Sequence, residues 1–234
     1  GRPPRFIYVL PNFHNPAGTT LSLERRERLA EIATRLNLPV VEDDPYGQLR
    51  YEGEDLPPIC TYIPERTMYL GTFSKTLAPG FRLGWIVCPE GLMKRFVQAK
   101  QGADLHTGSL VQHVANDICQ RGFLNQHVKR LREVYRVRRD TMLDALNELW
   151  PAVCEWTEPD GGLFLWAKVP DSIDTTEFLK EALEKKVAYV PGNNFFATGE
   201  GGHNAMRLNF SNAKPEIIVE GIRRLGNALK EQLL

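Results

Sequence analysis

A chain of 234 residues, 25% of them charged and 42% hydrophobic, has the apolar content for one large or two smaller globular cores. Its 29 basic and 29 acidic residues cancel, so no global field draws it to nucleic acid or to an acidic membrane, and no apolar run approaches the ~20 residues of a membrane span. Cys60, Cys88, Cys119 and Cys154 are widely spaced with no Cys-x-x-Cys, which suits reduced thiols and a cytoplasmic compartment.

Gly1-Arg2-Pro3-Pro4-Arg5 has no signal-peptide character and leads into the apolar run Phe6-Ile7-Tyr8-Val9-Leu10. A chain that opens on a buried-type strand is expected to be the later part of something larger. The run is short, continuous and ended by Pro11-Asn12, the pattern of a strand buried on both faces in a parallel sheet. A turn-rich loop follows, Asn12-Phe13-His14-Asn15-Pro16-Ala17-Gly18-Thr19-Thr20. Ser22 then reads as the N-cap of a helix carrying Leu29, Ile32, Ala33 and Leu36, which Asn37 and Pro39 end. Pro39-Val40-Val41 starts a second strand, stopping in Glu42-Asp43-Asp44-Pro45-Tyr46. Strand, helix and strand make a βαβ unit, expected to cross over right-handed.

Residues 47–67 form a polar connection without clear periodicity. Met68-Tyr69-Leu70-Gly71 and Leu83-Gly84-Trp85-Ile86-Val87 read as two buried strands flanking Thr72-Phe73-Ser74-Lys75-Thr76-Leu77-Ala78-Pro79-Gly80-Phe81-Arg82. Amphipathic segments follow, one with Leu92, Phe96 and Ala99, the next with Leu110, Val111, Val114, Ala115 and Ile118. A long helix is expected over about 122–150. Beyond it, strands at 153–157 and 163–167 flank the turn Pro159-Asp160-Gly161-Gly162. A helix at 175–186, a strand at 187–190 closed by Pro191-Gly192, a strand at 206–210 and a last helix at 215–234 complete the chain. In that last helix Ile217, Ile218, Ile222, Leu225, Leu229 and Leu233 are expected to face inward. The fold class is therefore α/β, a mostly parallel helix-flanked sheet followed by a small α+β domain. The boundary is placed at 138/139, giving domains 1–138 and 139–234.

Three polar clusters stand at the ends of predicted strands: Asn15, Asp43 with Tyr46, and Ser74 with Lys75. In open α/β sheets ligands gather outside the carboxyl ends of strands. An amide, a carboxylate, a phenol and an amine around one ligand suit pyridoxal phosphate. Lys75 would hold the aldehyde as an internal aldimine, and Asp43 would keep the pyridine nitrogen protonated. Asn15 and Tyr46 would bond the ring's phenolate oxygen, while Thr72, Ser74 and Arg82 would hold the phosphate. Plain structural readings stand beside these. Thr72 and Ser74 can cap the backbone locally, Asn15 can be a turn residue, and Asp44 reads as a solvated strand end. The five histidines show no metal spacing, and there is no Gly-x-x-x-x-Gly-Lys phosphate loop.

Asn15-Pro16-Ala17-Gly18, Asp43-x-x-Tyr46, Ser74-Lys75 followed by Arg82, and Arg207 on a late strand together resemble the fold-type I, class I/II aminotransferases. The phrases from Pro11 to Pro16, Glu42 to Tyr46 and Gly71 to Leu77 are similar to the branch containing 2-aminoadipate and kynurenine/aromatic aminotransferases. The resemblance implies that Lys75 is both Schiff-base lysine and proton-transfer group, and that Arg207, assisted by Asn15, grips the substrate α-carboxylate. It implies transamination of an α-amino acid (aminoadipate-, aromatic- or branched-chain-like) with 2-oxoglutarate as acceptor, in a homodimer. Whole members are far longer; the part preceding Gly1 would supply a phosphate turn, a ring-stacking aromatic and a substrate loop, and a piece without them is expected to be inactive alone. Two other readings remain at this stage: an aminotransferase-like ligand-sensing domain of a transcriptional regulator, and a pyridoxal-phosphate β-lyase.

Overall fold

The computed structural model describes residues 3–234. The described chain forms two compact units, one of residues up to Asn12 with Thr20–Leu131, the other of Phe13–Thr19 with Arg132–Leu234. The segment around Asn15 thus groups with the C-terminal half, which no local sequence signal announces.

In the first unit, β1 (Ile7–Val9), β2 (Val40–Asp43), β3 (Thr67–Thr72) and β4 (Gly84–Val87) form one sheet in that order. β1, β2 and β3 are parallel, and β4 runs antiparallel to β3. α1 (Leu23–Arg35) links β1 to β2, as the βαβ reading expects. Ser22 caps it, its hydroxyl accepting the Arg25 amide at 3.4 Å. Ala30 and Ala33 of α1 pack with Val40, Ile59 and Ile63, joined by Ile7 and Val9 from the strand. Small alanines on the inner face let the helix lie close to β-branched strand residues.

The strands are less buried than their apolar runs suggest. Phe6 and Tyr8 are 55% and 57% exposed, and three of the four β4 residues are exposed. The period-2 alternation explains this: Ile7 and Val9 point into the α1 core, so Tyr8 must point the other way. The 47–67 connection is also more ordered than expected. A 3₁₀ turn at Ile59–Thr61 offers the Ile59 and Cys60 amides to the fully buried Glu42 carboxylate, both at 2.8 Å. α2 (Glu90–Asp104) buries no side chain and α3 (Ser109–Gln120) only Ala115, so the inward faces expected there are not realised.

α4 (Phe123–Leu149) is the expected long helix, with Met142 and Leu146 in the core of the second unit. There β5 (Glu155–Trp156), β6 (Phe164–Lys168), β8 (Ala205–Asn209) and β7 (Val190–Pro191) form an antiparallel sheet in that spatial order. The strands expected at 153–157 and 187–190 shrink to two residues each. Leu165 pairs with Leu208 and Ala167 with Met206. These four are buried with Ile218, Ile222, Leu225 and Leu229 of α6 (Pro215–Gln232). The helix α5 (Thr175–Glu184) is capped by Asp174, which accepts the Thr176 and Glu177 amides. Ile217 and Leu233, expected inward, are exposed: Ile217 lies off the stripe that Ile218, Ile222, Leu225 and Leu229 define at helical spacing, and Leu233 comes after the last residue of α6. No described helix is long and apolar enough to cross a membrane.

Candidate active site

The two units carry separate groups of the predicted residues. In the first, β2 ends in Asp43, half-buried, whose carboxylate accepts the Tyr8 hydroxyl at 2.5 Å. Tyr8 stands on β1 opposite Val41, so it and Asp43 lie on the same side of the sheet. Burial, then the Asp43 carboxylate, push the Tyr8 phenol up to about 12, with Tyr46 adding a smaller repulsion. Tyr46 itself is buried, three residues beyond Asp43. Tyr8 was invisible as a site residue because a tyrosine inside an apolar strand reads as packing.

Asp44 is not the solvated strand end its neighbours suggest. Its two carboxylate oxygens accept the Gly47 amide at 2.8 Å and the Tyr69 hydroxyl at 2.7 Å. Burial and Asp44 together raise the Tyr69 phenol well above its ordinary value. The turn that carries Asp43 and Tyr46 is thereby tied to β3, the strand leading to Lys75. A cavity of about 210 Å³ opens beside this tie, lined by Asp44, Gln48, Tyr69, Thr76 and Trp85 among others.

From β3 the chain makes a wide hairpin excursion. The Phe73 amide donates to Leu83 at 3.0 Å, and residues 74–82 bulge beyond that bond. Leu77 and Ala78 amides return to the Phe73 carbonyl at 2.8 and 3.0 Å, closing the turn on which Ser74 and Lys75 sit, both half-buried. The Thr72 hydroxyl donates to the Leu83 carbonyl at 3.3 Å and accepts the Ser74 amide at 3.1 Å. Arg82 is exposed, in left-handed conformation (φ 50°), with Nη1 donating to the Pro79 carbonyl at 3.3 Å.

Asn15 and Arg207 meet in the second unit, Nη1 of Arg207 donating to Asn15 Oδ1 at 2.7 Å. Two glycines allow it. Gly18, at φ +69°, lies so close to β6 that a Cβ would stand 2.6 Å from the Phe164 carbonyl oxygen. Gly162, at φ +75°, leaves room for Phe13, whose Cβ a side chain there would meet at 2.5 Å. The phrases Asn15-Pro16-Ala17-Gly18 and Pro159-Asp160-Gly161-Gly162 are thus two halves of one packing contact. Arg139, buried in α4, holds the second phrase through the Pro159 carbonyl at 2.9 Å. The Asn15–Pro16 peptide is cis. Arg207 also lies against two rings, its Cζ 4.1 Å from the Phe164 centroid and 5.2 Å from that of Phe195.

Behind the first group stands Arg26, fully buried. It donates to the carbonyls of Leu21, Pro57 and Pro11 at 2.9, 3.2 and 3.2 Å, and to Asn12 Oδ1 at 2.6 Å. Arg26 stands four and seven residues before Ala30 and Ala33, on the same buried face of α1, and only its charge hides it in the sequence.

The family model for "Aminotransferase class I and II" matches residues 3–225. The chain is 46% identical to aromatic-amino-acid aminotransferase 1 of Thermococcus litoralis over 234 residues, all of this chain and 56% of that protein. It is 41% identical to 2-aminoadipate transaminase of Thermus thermophilus, over 97% of this chain and 58% of that one. The crystal structure of Pyrococcus horikoshii kynurenine aminotransferase in complex with PMP superposes with a TM-score of 0.95 at 45% identity, covering 98% of this chain and 57% of that one. The chain therefore spans a little over half the length of the relatives it matches.

Proposed function

The chain belongs to the class I and II aminotransferase family, and from that premise we propose that the protein is a pyridoxal 5'-phosphate-dependent aminotransferase. Its substrates are an α-amino acid of aminoadipate, aromatic or branched-chain type and 2-oxoglutarate. The observation that carries the reading is the Asn15–Arg207 bond of 2.7 Å. It joins an amide to a guanidinium, a pair of groups suited to gripping a substrate carboxylate.

The donor set fits the cofactor. Asp43 offers a half-buried carboxylate steadied by Tyr8, suited to a protonated ring nitrogen. The Tyr46 hydroxyl and the Asn15 amide suit the ring oxygen, and the Lys75 amine suits the aldehyde. Thr72, Ser74 and Arg82 would hold the phosphate, which requires the Thr72 hydroxyl to turn from the Leu83 carbonyl and Arg82 to give up its bond to Pro79. When bound, pyridoxal phosphate supplies the electron sink that makes the substrate Cα–H acidic. Arg207 and Asn15 fix the carboxylate, and so the direction of the Cα–H bond; this favours proton loss over decarboxylation. Lys75 Nζ would serve as general base for the Cα proton and, once protonated, as general acid.

A homodimer is part of this reading; the apolar side chains that α2 leaves exposed, Met93, Phe96 and Val97, suit it. The four unpaired cysteines suit the cytoplasm. The test is the full-length protein loaded with cofactor and assayed for 2-oxo acid formation from aromatic and aminoadipate donors. Lys75→Ala should abolish turnover; retained transamination in that variant would sink the reading, and ammonia release in place of amino transfer would redirect it to a lyase.

A further inference from the structure

Arg207 lies at the centre of its sheet, paired with Trp166 on β6 and Val190 on β7. Phe164, two residues before Trp166, projects from the same face of β6. Phe195 arrives from the 3₁₀ turn Gly192–Phe195 that follows β7. One ring comes from β6 and the other from the 3₁₀ turn, yet they converge on one guanidinium, at 4.1 and 5.2 Å from its carbon. Trp166 meets the Phe195 ring edge-on, with centroids 5.7 Å apart and planes at 79°, and so fixes the ring's tilt.

We propose that Phe164 and Phe195 are positioning residues that hold the Arg207 guanidinium with its N–H edge turned to a planar carboxylate, an inference that rests on the reading of Arg207 as the carboxylate grip. A guanidinium covered by ring faces keeps its charge but loses freedom to rotate about its long side chain. Asn15 Oδ1 takes one Nη1 hydrogen, which fixes rotation within the plane. Rings and amide together narrow the ways in which the fork can be presented. The rings also thin the water around the ion pair, which strengthens it. A lysine at 207 would match the charge and fail the geometry.

Phe164 is buried and its removal threatens folding, so the half-buried Phe195 is the position to vary. The full-length holoenzyme would be titrated calorimetrically with 2-oxoglutarate in the absence of amino donor, beside steady-state kinetics and thermal melts. Phe195→Leu keeps the bulk and removes the ring. It should weaken 2-oxoglutarate binding about tenfold, with the larger share of the kinetic loss in KM rather than kcat, and Phe195→Tyr should restore both. Parent-like binding in Phe195→Leu, with binding lost in Arg207→Ala, overturns the role of the rings and leaves the Arg207 reading standing. Parent-like binding in Arg207→Ala overturns the Arg207 reading itself. Weakened binding that tracks a lowered melting temperature in both Phe195 variants makes Phe195 a packing residue and also overturns the proposal.

Discussion

Asn15 and Arg207 are 192 residues apart in sequence and 2.7 Å apart in the fold. Nothing at either position alone specifies that contact; Gly18 specifies it by letting the loop lie against Phe164. Gly18→Ala places a methyl in a left-handed backbone and within 2.6 Å of a carbonyl oxygen. The expected loss is about 2–4 kcal/mol of stability. It should come with a raised KM for the amino acid, read by urea unfolding and initial rates.

Asp44 and Tyr69 give a second test. Tyr69→Phe removes the donor to one carboxylate oxygen of a half-buried aspartate and leaves the Gly47 bond in place. Stability should fall by about 1–3 kcal/mol. Hydrogen exchange at the Gly47 amide should quicken if the turn carrying Asp43 and Tyr46 loosens. Unchanged exchange there would separate Tyr69 from the turn.

Arg26 is the most consequential single side chain in the first unit. Arg26→Met would strand the Leu21 and Pro57 carbonyls and the Asn12 amide oxygen, would leave the Pro11 carbonyl with its Leu21 donor, and would remove a positive charge that acts on the buried Glu42. A loss of about 3–5 kcal/mol is expected in chemical denaturation. Arg26→Lys should recover only part of it, because an ammonium cannot span all four acceptors.

The Tyr8–Asp43 bond predicts a pH effect in the alkaline range. The Tyr8 phenol is raised from 10.0 to about 12 in the fold, so the folded state binds the proton more tightly than the unfolded one. The stabilisation is fully present below pH 10 and is lost as pH rises from 10 to about 12. Phe in place of Tyr8 should flatten that part of the stability–pH curve and remove one high-pH component from the phenolate titration. Because Tyr8 is more than half exposed, the effect is small, and it is best read as a difference between the two proteins.

What the sequence made legible was local. The α1 stripe, its Ser22 cap and the β2 run ending in Asp43 follow from spacing and turn chemistry within a few residues, and so does the Lys75 hairpin. The misreadings have one physical root. Burial on a strand depends on which face is covered, and that is set by partners far along the chain. Tyr8 and Trp85 therefore emerged partly exposed from runs that looked uniformly buried. Asp44 and Glu42 found donors 25 and 17 residues away, and the Phe164 and Phe195 rings needed the β6–β8–β7 register before either could be seen beside Arg207. Asn15, Asp43, Tyr46 and Lys75 stood out because their chemistry is unusual beyond strand ends, and Arg207 because a charge is unusual within an apolar strand. The residues that steady them look ordinary.

The loop that bears Asn15 also has a place in the order of synthesis. At roughly 5–20 residues per second, Arg207 is made about 10–40 s after Asn15. The loop need not wait as a loose strand. The Leu21 amide donates to Pro11 at 2.8 Å, the His14 amide to Thr19 at 2.8 Å, and the Gly18 amide to His14 at 2.6 Å. Its base and its inner rungs are closed by neighbours present from the start, with Arg26 clamping Pro11 and Asn12. A nascent chain can thus carry the amide on a formed hook, and the last strands of the protein close onto it.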